Sequence, residues 1–201
     1  MIKVIRNARI ITMETDNVID GDIVIKNNII LDVVSKYLGE YDLEIDAKHN
    51  IVMPGLINCH THLGMYDFRN TNDNLKLMDW LNNKIWPIED KMSKKDISDA
   101  TYNSCIEMIN SGTTTCADFY DGSAIDSIKK SGIRCLYTRC LMNNSDDGMS
   151  RLNQFKDLYE NEKDKNDLIT FSMTFHAFYT CSIDYIKECK KYADANDLII
   201  N

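Results

Sequence analysis

No stretch of the chain approaches the ~20 consecutive apolar residues that a membrane-spanning helix needs, so no transmembrane segment is expected. The first residues, MIKVIRNARIITM, lack the long apolar core and small-residue cleavage site of a signal peptide. Basic charge is in deficit, with 23 Lys and Arg against 31 Asp and Glu and a net charge of −8. The basic residues are scattered among acidic ones, whereas nucleic acid or an acidic membrane surface requires them in clusters. The seven cysteines form no C-x-x-C pair and no dense framework. They read as small, buried, reduced thiols of a cytoplasmic protein. There is no internal repeat, no low-complexity tract, and neither a G-x-G-x-x-G nor a G-x-x-x-x-G-K-[ST] motif. Nothing therefore supports a nucleotide cofactor, and neither nucleic acid nor membrane is expected as a partner.

What is present is a chain of 201 residues, 44% hydrophobic, long enough for one sizeable core. KVIRNARIITM (3–13) and GDIVIKNNIILDVV (21–34) are rich in Ile and Val and read as short strands of a small sheet, with a hairpin turn at KNN. DAKHN (46–50) is a polar connector, in which His49 is a surface residue. From Ile51 strands alternate with helices. LKLMDWLNNKIW (75–86) predicts an amphipathic helix ended by Pro87, with Trp80 and Trp86 packed in the core. DISDATYNSCIEMINSG (96–112) places Ile97, Thr101, Ser104, Cys105 and Met108 on one face, behind a Ser93–Asp96 capping box and before a Gly112 stop. Strands are predicted in TTTCADFY, RCLYTRCL, LITFSMTFH and LIIN. Helices are predicted in AIDSIKKSG, RLNQFKDLYENEK and SIDYIKECKKYADAN, the last capped by Ser182. The alternation predicts a parallel sheet: a doubly wound fold, or about five strands of a (β/α)8 barrel.

Only four histidines occur, and two of them, His60 and His62, stand one residue apart in VMPGLINCHTHLGM (52–65). In a strand, residues i and i+2 face the same way. Both imidazoles then project together at the strand end, and Cys59 and Thr61 face away. Imidazole nitrogens bind first-row divalent ions at ~2.0–2.1 Å, and two on one strand make half of a site. The competing reading is a pair that merely hydrogen-bonds there. Position favours the metal, because the pair opens the α/β region and catalytic groups of barrel enzymes sit at the C-terminal ends of strands. Asp118, at the next strand end, is expected to take a cap or loop hydrogen bond.

VMPGLINCHTHLGM, followed in order by DWLNNKIWPIED (79–90), EMINSGTTTCADFY (107–120) and FHAFYTCS (175–182), resembles the amidohydrolase superfamily over essentially the whole chain. Within it, the sequence is most similar to the 5′-methylthioadenosine/S-adenosylhomocysteine deaminases and the related chlorohydrolases. The resemblance implies an α/β fold: an incomplete (β/α)8 TIM-type barrel of about the first five strands in residues 53–201, preceded in residues 1–52 by part of a composite β-sandwich. It implies a metal-dependent hydrolytic deaminase of a purine nucleoside or similar small heterocycle, releasing ammonia. Sister activities are guanine or triazine deamination, dechlorination and cyclic amide hydrolysis; a non-catalytic binding fragment is the reading from another class.

By the same resemblance His60 and His62 hold one divalent ion, zinc before iron. Glu89 contacts the substrate's sugar hydroxyls. Arg139, at the end of the third barrel strand, and Arg151, after the D-D-G turn, bind the substrate's far end, although D-D-G-M-S-R is one residue longer than the family spacing. His176 contacts the ring, with Phe175 and Phe178 where the usual form carries proline, which leaves room for a different ring. Family members are often dimers or larger. The third metal histidine and the acid/base groups of the family fall beyond Asn201. No catalytic residue is therefore expected within residues 1–201, which read as the N-terminal, separately inactive part of a longer enzyme.

Overall fold

The Ile- and Val-rich start of the chain becomes β1 (Ile2–Ile11), pairing antiparallel with β2 (Val18–Lys26), which turns at Asn27–Asn28 into β3 (Ile29–Val34). Asn27 sits in the left-handed region, φ 58°, as a tight hairpin requires. The computed structural model describes residues 1–71, 74–120, 122–144 and 147–201. It divides the chain into two units, Met1–Gly55 and Leu56–Asn201.

In the first unit, β4 (Leu43–Asp46) and β5 (Ile51–Val52) run parallel to β1 and complete one five-stranded sheet. Four residues are too few to display alternation, so the sequence pattern misses β4, while β5 falls at the start of the strand-like stretch IVMPGLINCHTHL. Against β2, β1 carries one extra residue between Ile5 and Ala8, and Asn7 there has φ 53°. This bulge is tied by Asp22, which is 4% exposed. Its carboxylate accepts the Asn7 N–H (3.2 Å), the Tyr37 N–H (2.9 Å) and Arg6 Nη1 (2.7 Å). Burial alone would raise the Asp22 pKa; these donors outweigh it and hold the carboxyl below its usual range. Ala8, Ile10 and Ile23 form the apolar centre of this sheet. His49 is exposed, as expected.

The second unit is a parallel sheet of β6 (Leu56–Thr61), β7 (Thr113–Asp118), β8 (Arg134–Tyr137), β9 (Ile169–Met173) and β10 (Ile199–Ile200), paired in that sequential order. Strictly sequential parallel pairing is the barrel arrangement and not the doubly wound one, whose strand order reverses. Helices α3 (Lys94–Asn110), α4 (Ile125–Ser131), α5 (Gly148–Glu162) and α6 (Ile183–Ala195) make the crossovers. The Ser93–Asp96 capping box and the Ser182 cap form as predicted, and Gly132 closes α4 at φ 81°. RCLYTRCL is strand only to Tyr137; Leu141 returns as a single bridge to Phe175.

The segment after β6 departs from expectation. Pro87 does not end the helix. α1 (Leu77–Trp80) passes through a π-helical turn (Leu81–Ile85) into α2 (Trp86–Glu89), with Pro87 inside the first turn of α2. The Trp86 N–H bonds back five residues to Leu81. That wider turn accommodates a ring that would otherwise strike the carbonyl four residues earlier. The extra residue also shifts the helical phase: Ile85 takes the core position at 1% exposed, and Trp86 is left 42% exposed. The core expectation for Trp86 is thereby corrected.

Cys105, Cys116 and Cys135 are buried with Leu152, Phe155 and Phe171 in the core of this unit. None of the seven cysteines is in a disulfide. Burial pushes the Cys105 thiol up to about 12 and Cys189 to about 11, which keeps both unreactive. Among the described residues no helix is long and apolar enough to cross a membrane.

The tie at Asp22 predicts an acid-sensitive first unit. A carboxyl whose folded pKa lies below its unfolded value, ~3.9, stabilises above that value and loses the contribution as pH falls through the folded one. Urea midpoints should fall on acidification below about pH 4. Asp22→Asn should lower the midpoint at pH 7 and flatten that dependence; identical pH profiles would contradict the role.

Candidate active site

β6 carries one extra residue against β7 between its pairings Asn58↔Cys116 and Thr61↔Asp118. Such a bulge re-aims the side chains it contains. His60 lies on it, and His62 is the first residue past the strand, before a 3₁₀ turn (Leu63–Phe68). The two Nε2 atoms come within 3.3 Å, with the rings edge-on and their centroids 5.0 Å apart. Two nitrogens each ~2.0–2.1 Å from a tetrahedral ion stand about 3.3–3.4 Å apart, so the pair fits a divalent metal. The same spacing lets one ring donate N–H to the other, which satisfies both without an ion. Phe119 packs on His60 at 4.6 Å and Tyr120 lies beside His62 at 6.2 Å. His62 is exposed, yet partial desolvation first, then the charges of His60 and His176, hold its pKa below the ordinary imidazole value. That favours the neutral ring a metal binds. Among the described residues no group of three or more His, Cys, Asp or Glu is placed to hold an ion, so the pair remains half of a site.

Asp118 supports this pair from below. It is fully buried, and its Oδ1 accepts the Leu63 N–H at 2.9 Å and the Thr61 hydroxyl at 3.4 Å. The Phe119 N–H donates to the Thr61 carbonyl at 3.1 Å. Both neighbours of His62 are thus anchored to the end of β7. The loop hydrogen bond expected of Asp118 is there, and burial adds a second property. Desolvation pushes its carboxyl up to about 7, although the Leu63 N–H pulls the other way.

A cleft of about 610 Å³ opens beside His62, walled by Met65, Phe68, Leu77 and Trp80 with Arg69 among them. Trp80 therefore lines the cleft, in place of the core position expected for it. The Arg69 guanidinium lies 4.0 Å over the Tyr66 ring and makes paired bonds of 2.7 and 2.8 Å to Glu107. Sequence reasoning passed over Arg69, because Tyr66, three residues before it, forms no recognisable motif with it and Glu107 is 38 residues away.

The remaining expected residues are dispersed. Glu89, at the end of α2, accepts a hydrogen bond from Tyr120 Oη at 2.5 Å, which links it to the wall of His62. Arg139, two residues past β8, donates to Gln154 Oε1 at 2.6 Å. Arg151, on α5, donates to Asp147 Oδ2 at 2.6 Å. Asp146 of the D-D-G turn lies outside the described residues. His176 is exposed; its N–H bonds the Leu141 carbonyl (2.8 Å) and its Nδ1 pairs with the Thr180 hydroxyl (2.9 Å). None of these four lines the cleft beside His62. The structure thus joins His60, His62 and Glu89 through Tyr120, and leaves the two arginines in pairings around α5.

The model of the amidohydrolase family matches residues 51–201. A 5-methylthioadenosine/S-adenosylhomocysteine deaminase of Desulforamulus reducens is 36% identical over 98% of this chain and 48% of its own length. An adenosine deaminase from Xanthomonas campestris with bound zinc superposes with a TM-score of 0.83 at 23% identity, over 98% of this chain and 48% of its own. Guanine deaminase from C. acetobutylicum superposes with a TM-score of 0.85 at 24% identity, over 100% and 52%. The chain spans about half the length of these relatives.

Two outcomes follow from the geometry. His60→Ala and His62→Ala should each strip the bound divalent ion from the full-length protein, read by elemental analysis after dialysis; unchanged metal content would remove the assignment. For Asp118, a folded pKa above the ordinary value stabilises fully below the unfolded pKa and is lost as pH rises through about 7. In metal-free protein the stability of wild type relative to Asp118→Asn should therefore decline between about pH 4 and pH 7 and level off above, in urea titrations.

Proposed function

The chain belongs to the amidohydrolase family, and we propose that residues 1–201 are the N-terminal part of a metal-dependent hydrolytic deaminase of a purine nucleoside or similar heterocycle. The observation that carries this is the 3.3 Å approach of the His60 and His62 Nε2 atoms at the C-terminal end of β6. The 36% identity to a relative named for deamination of adenine nucleosides supports the substrate class. In this reading residues 1–52 are part of a β-sandwich and residues 53–201 the first strands of a (β/α)8 barrel. The acidic balance argues against a nucleic-acid or acidic-membrane partner, and cysteines without a disulfide framework fit the cytoplasm.

His60 and His62 would hold one divalent ion, zinc first. When bound, such an ion brings the pKa of water toward ~7 and makes hydroxide available at neutral pH. The chain's own residues bind and orient. Glu89 accepts hydrogen bonds from the sugar hydroxyls, His176 meets the ring, and Arg139 and Arg151 take the far end. Met65, Phe68, Leu77 and Trp80 give the open cleft an apolar wall for the ring. Water adds to the amine-bearing ring carbon, the C–N bond breaks, and the oxo product and ammonia leave. Moving protons to the ring and to ammonia requires an acid/base group. In this reading that group and the third ligand belong to the part of the polypeptide beyond the half that matches here.

One observation favours a second reading, a sister hydrolase of a different ring. Phe175 and Phe178 flank His176 where the deaminase form carries proline, and Phe178 is 85% exposed.

The intact mass in the source should be near twice the 23.2 kDa of residues 1–201. That full-length protein should release ammonia from purine nucleosides ahead of triazines and imides. Chelation should abolish release and zinc restore it. Ammonia release by residues 1–201 alone, or release indifferent to chelator, would overturn the proposal.

A further inference from the structure

We propose that Tyr120 is a positioning residue that clamps the Glu89 carboxylate at the mouth of the site and thereby sets selectivity for substrates bearing sugar hydroxyls. The inference rests on the reading of Glu89 as the group that meets those hydroxyls.

Glu89 is the last residue of α2, a four-residue turn reached through a π-helical turn. Helix ends fray, and a side chain on the last residue is poorly held without tertiary help. The help comes from Tyr120, whose hydroxyl donates to Glu89 Oε1 at 2.5 Å. A phenol bonding a carboxylate is charge-assisted and correspondingly short and strong. Tyr120 is itself confined. Its ring fills the space over Gly64, where an added Cβ would lie 2.4 and 2.5 Å from two ring carbons. Gly64 is buried and sits two residues past His62, in the turn whose Leu63 N–H is held by Asp118. The other edge of Tyr120 faces the His62 ring at 6.2 Å. One side chain therefore spans from the histidine pair to Glu89, and glycine at position 64 is what gives it room.

The chemistry follows from acceptor counting. An ionised carboxylate offers about four lone-pair sites on two oxygens. Tyr120 takes one on Oε1 and fixes the plane, which leaves Oε2 to accept from a substrate. A carboxylate already ordered loses less freedom on binding. A substrate lacking the hydroxyls leaves that held acceptor unpaired, which is the costly kind of mismatch.

The experiment measures kcat and KM of the full-length enzyme for adenosine and for 2′,3′-dideoxyadenosine. Tyr120→Phe keeps the ring over Gly64 and deletes only the hydroxyl. It should lower the preference for adenosine over the dideoxy analogue about tenfold, expressed in KM more than in kcat. Gly64→Ala, which displaces the ring, should do the same. Glu89→Gln should lower the preference at least as far, and the Tyr120→Phe/Glu89→Gln pair no further than Glu89→Gln alone. A preference lowered by Glu89→Gln and untouched by Tyr120→Phe overturns the clamp and leaves Glu89 in its role. A preference untouched by Glu89→Gln overturns the reading of Glu89 and the clamp with it. Equal loss of kcat on both substrates in Tyr120→Phe also overturns the clamp, since the hydroxyl would then act on the chemistry or the fold.

Discussion

The architecture of the candidate site depends on one strand-end contact, the parallel pairing of Thr61 on β6 with Asp118 on β7. β6 carries one extra residue against β7 between Asn58↔Cys116 and this pairing, and at the strand end so formed the two Nε2 atoms meet. Asp118 then locks the result by bonding the groups on either side of His62. The next two residues extend the same support, Phe119 against His60 and Tyr120 against His62 and Glu89. Three consecutive residues at one strand end thus serve the whole mouth. A buried carboxylate is costly to place there, and the same desolvation raises its pKa.

Charge and burial at the mouth suit binding more than proton transfer. His62 is biased toward its neutral form, as a ligand should be. The other acids close by are engaged: Glu107 with Arg69, and Glu89 with Tyr120. Asp118 is sealed beneath the turn. Leu56 and Ile57 of β6 and Ile199 of β10, on the two edge strands of the sheet, are more than half exposed. Edge strands of a parallel sheet present open backbone groups for further pairing.

Much of this was legible from sequence because it is local. Strand and helix periods, the Ser93–Asp96 box, the Ser182 cap and the glycine stops each involve residues within a few positions, so side-chain spacing alone determines them. The H-x-H pair belongs to the same class, since two residues apart on a strand is a statement about one strand. The register irregularity beneath it was not legible, because a bulge is a relation between two strands.

The parts that only the tertiary structure decided join positions far apart in the chain. Glu89 and Tyr120 are 31 residues apart, and Leu63 and Asp118 are 55. Pro87 read alone ends a helix; what carries the helix on to Glu89 is the π turn before it. Arg69 finds Glu107 only because the turn after β6 packs beside α3. By itself the sequence determined the element types, the parallel α/β plan and the pairing of His60 with His62 at one strand end. Backbone propensity and side-chain period act between near neighbours, and those suffice for that much. Which side chains converge on the histidines depends on strand register and helix phase, and these exist only once the sheet has formed.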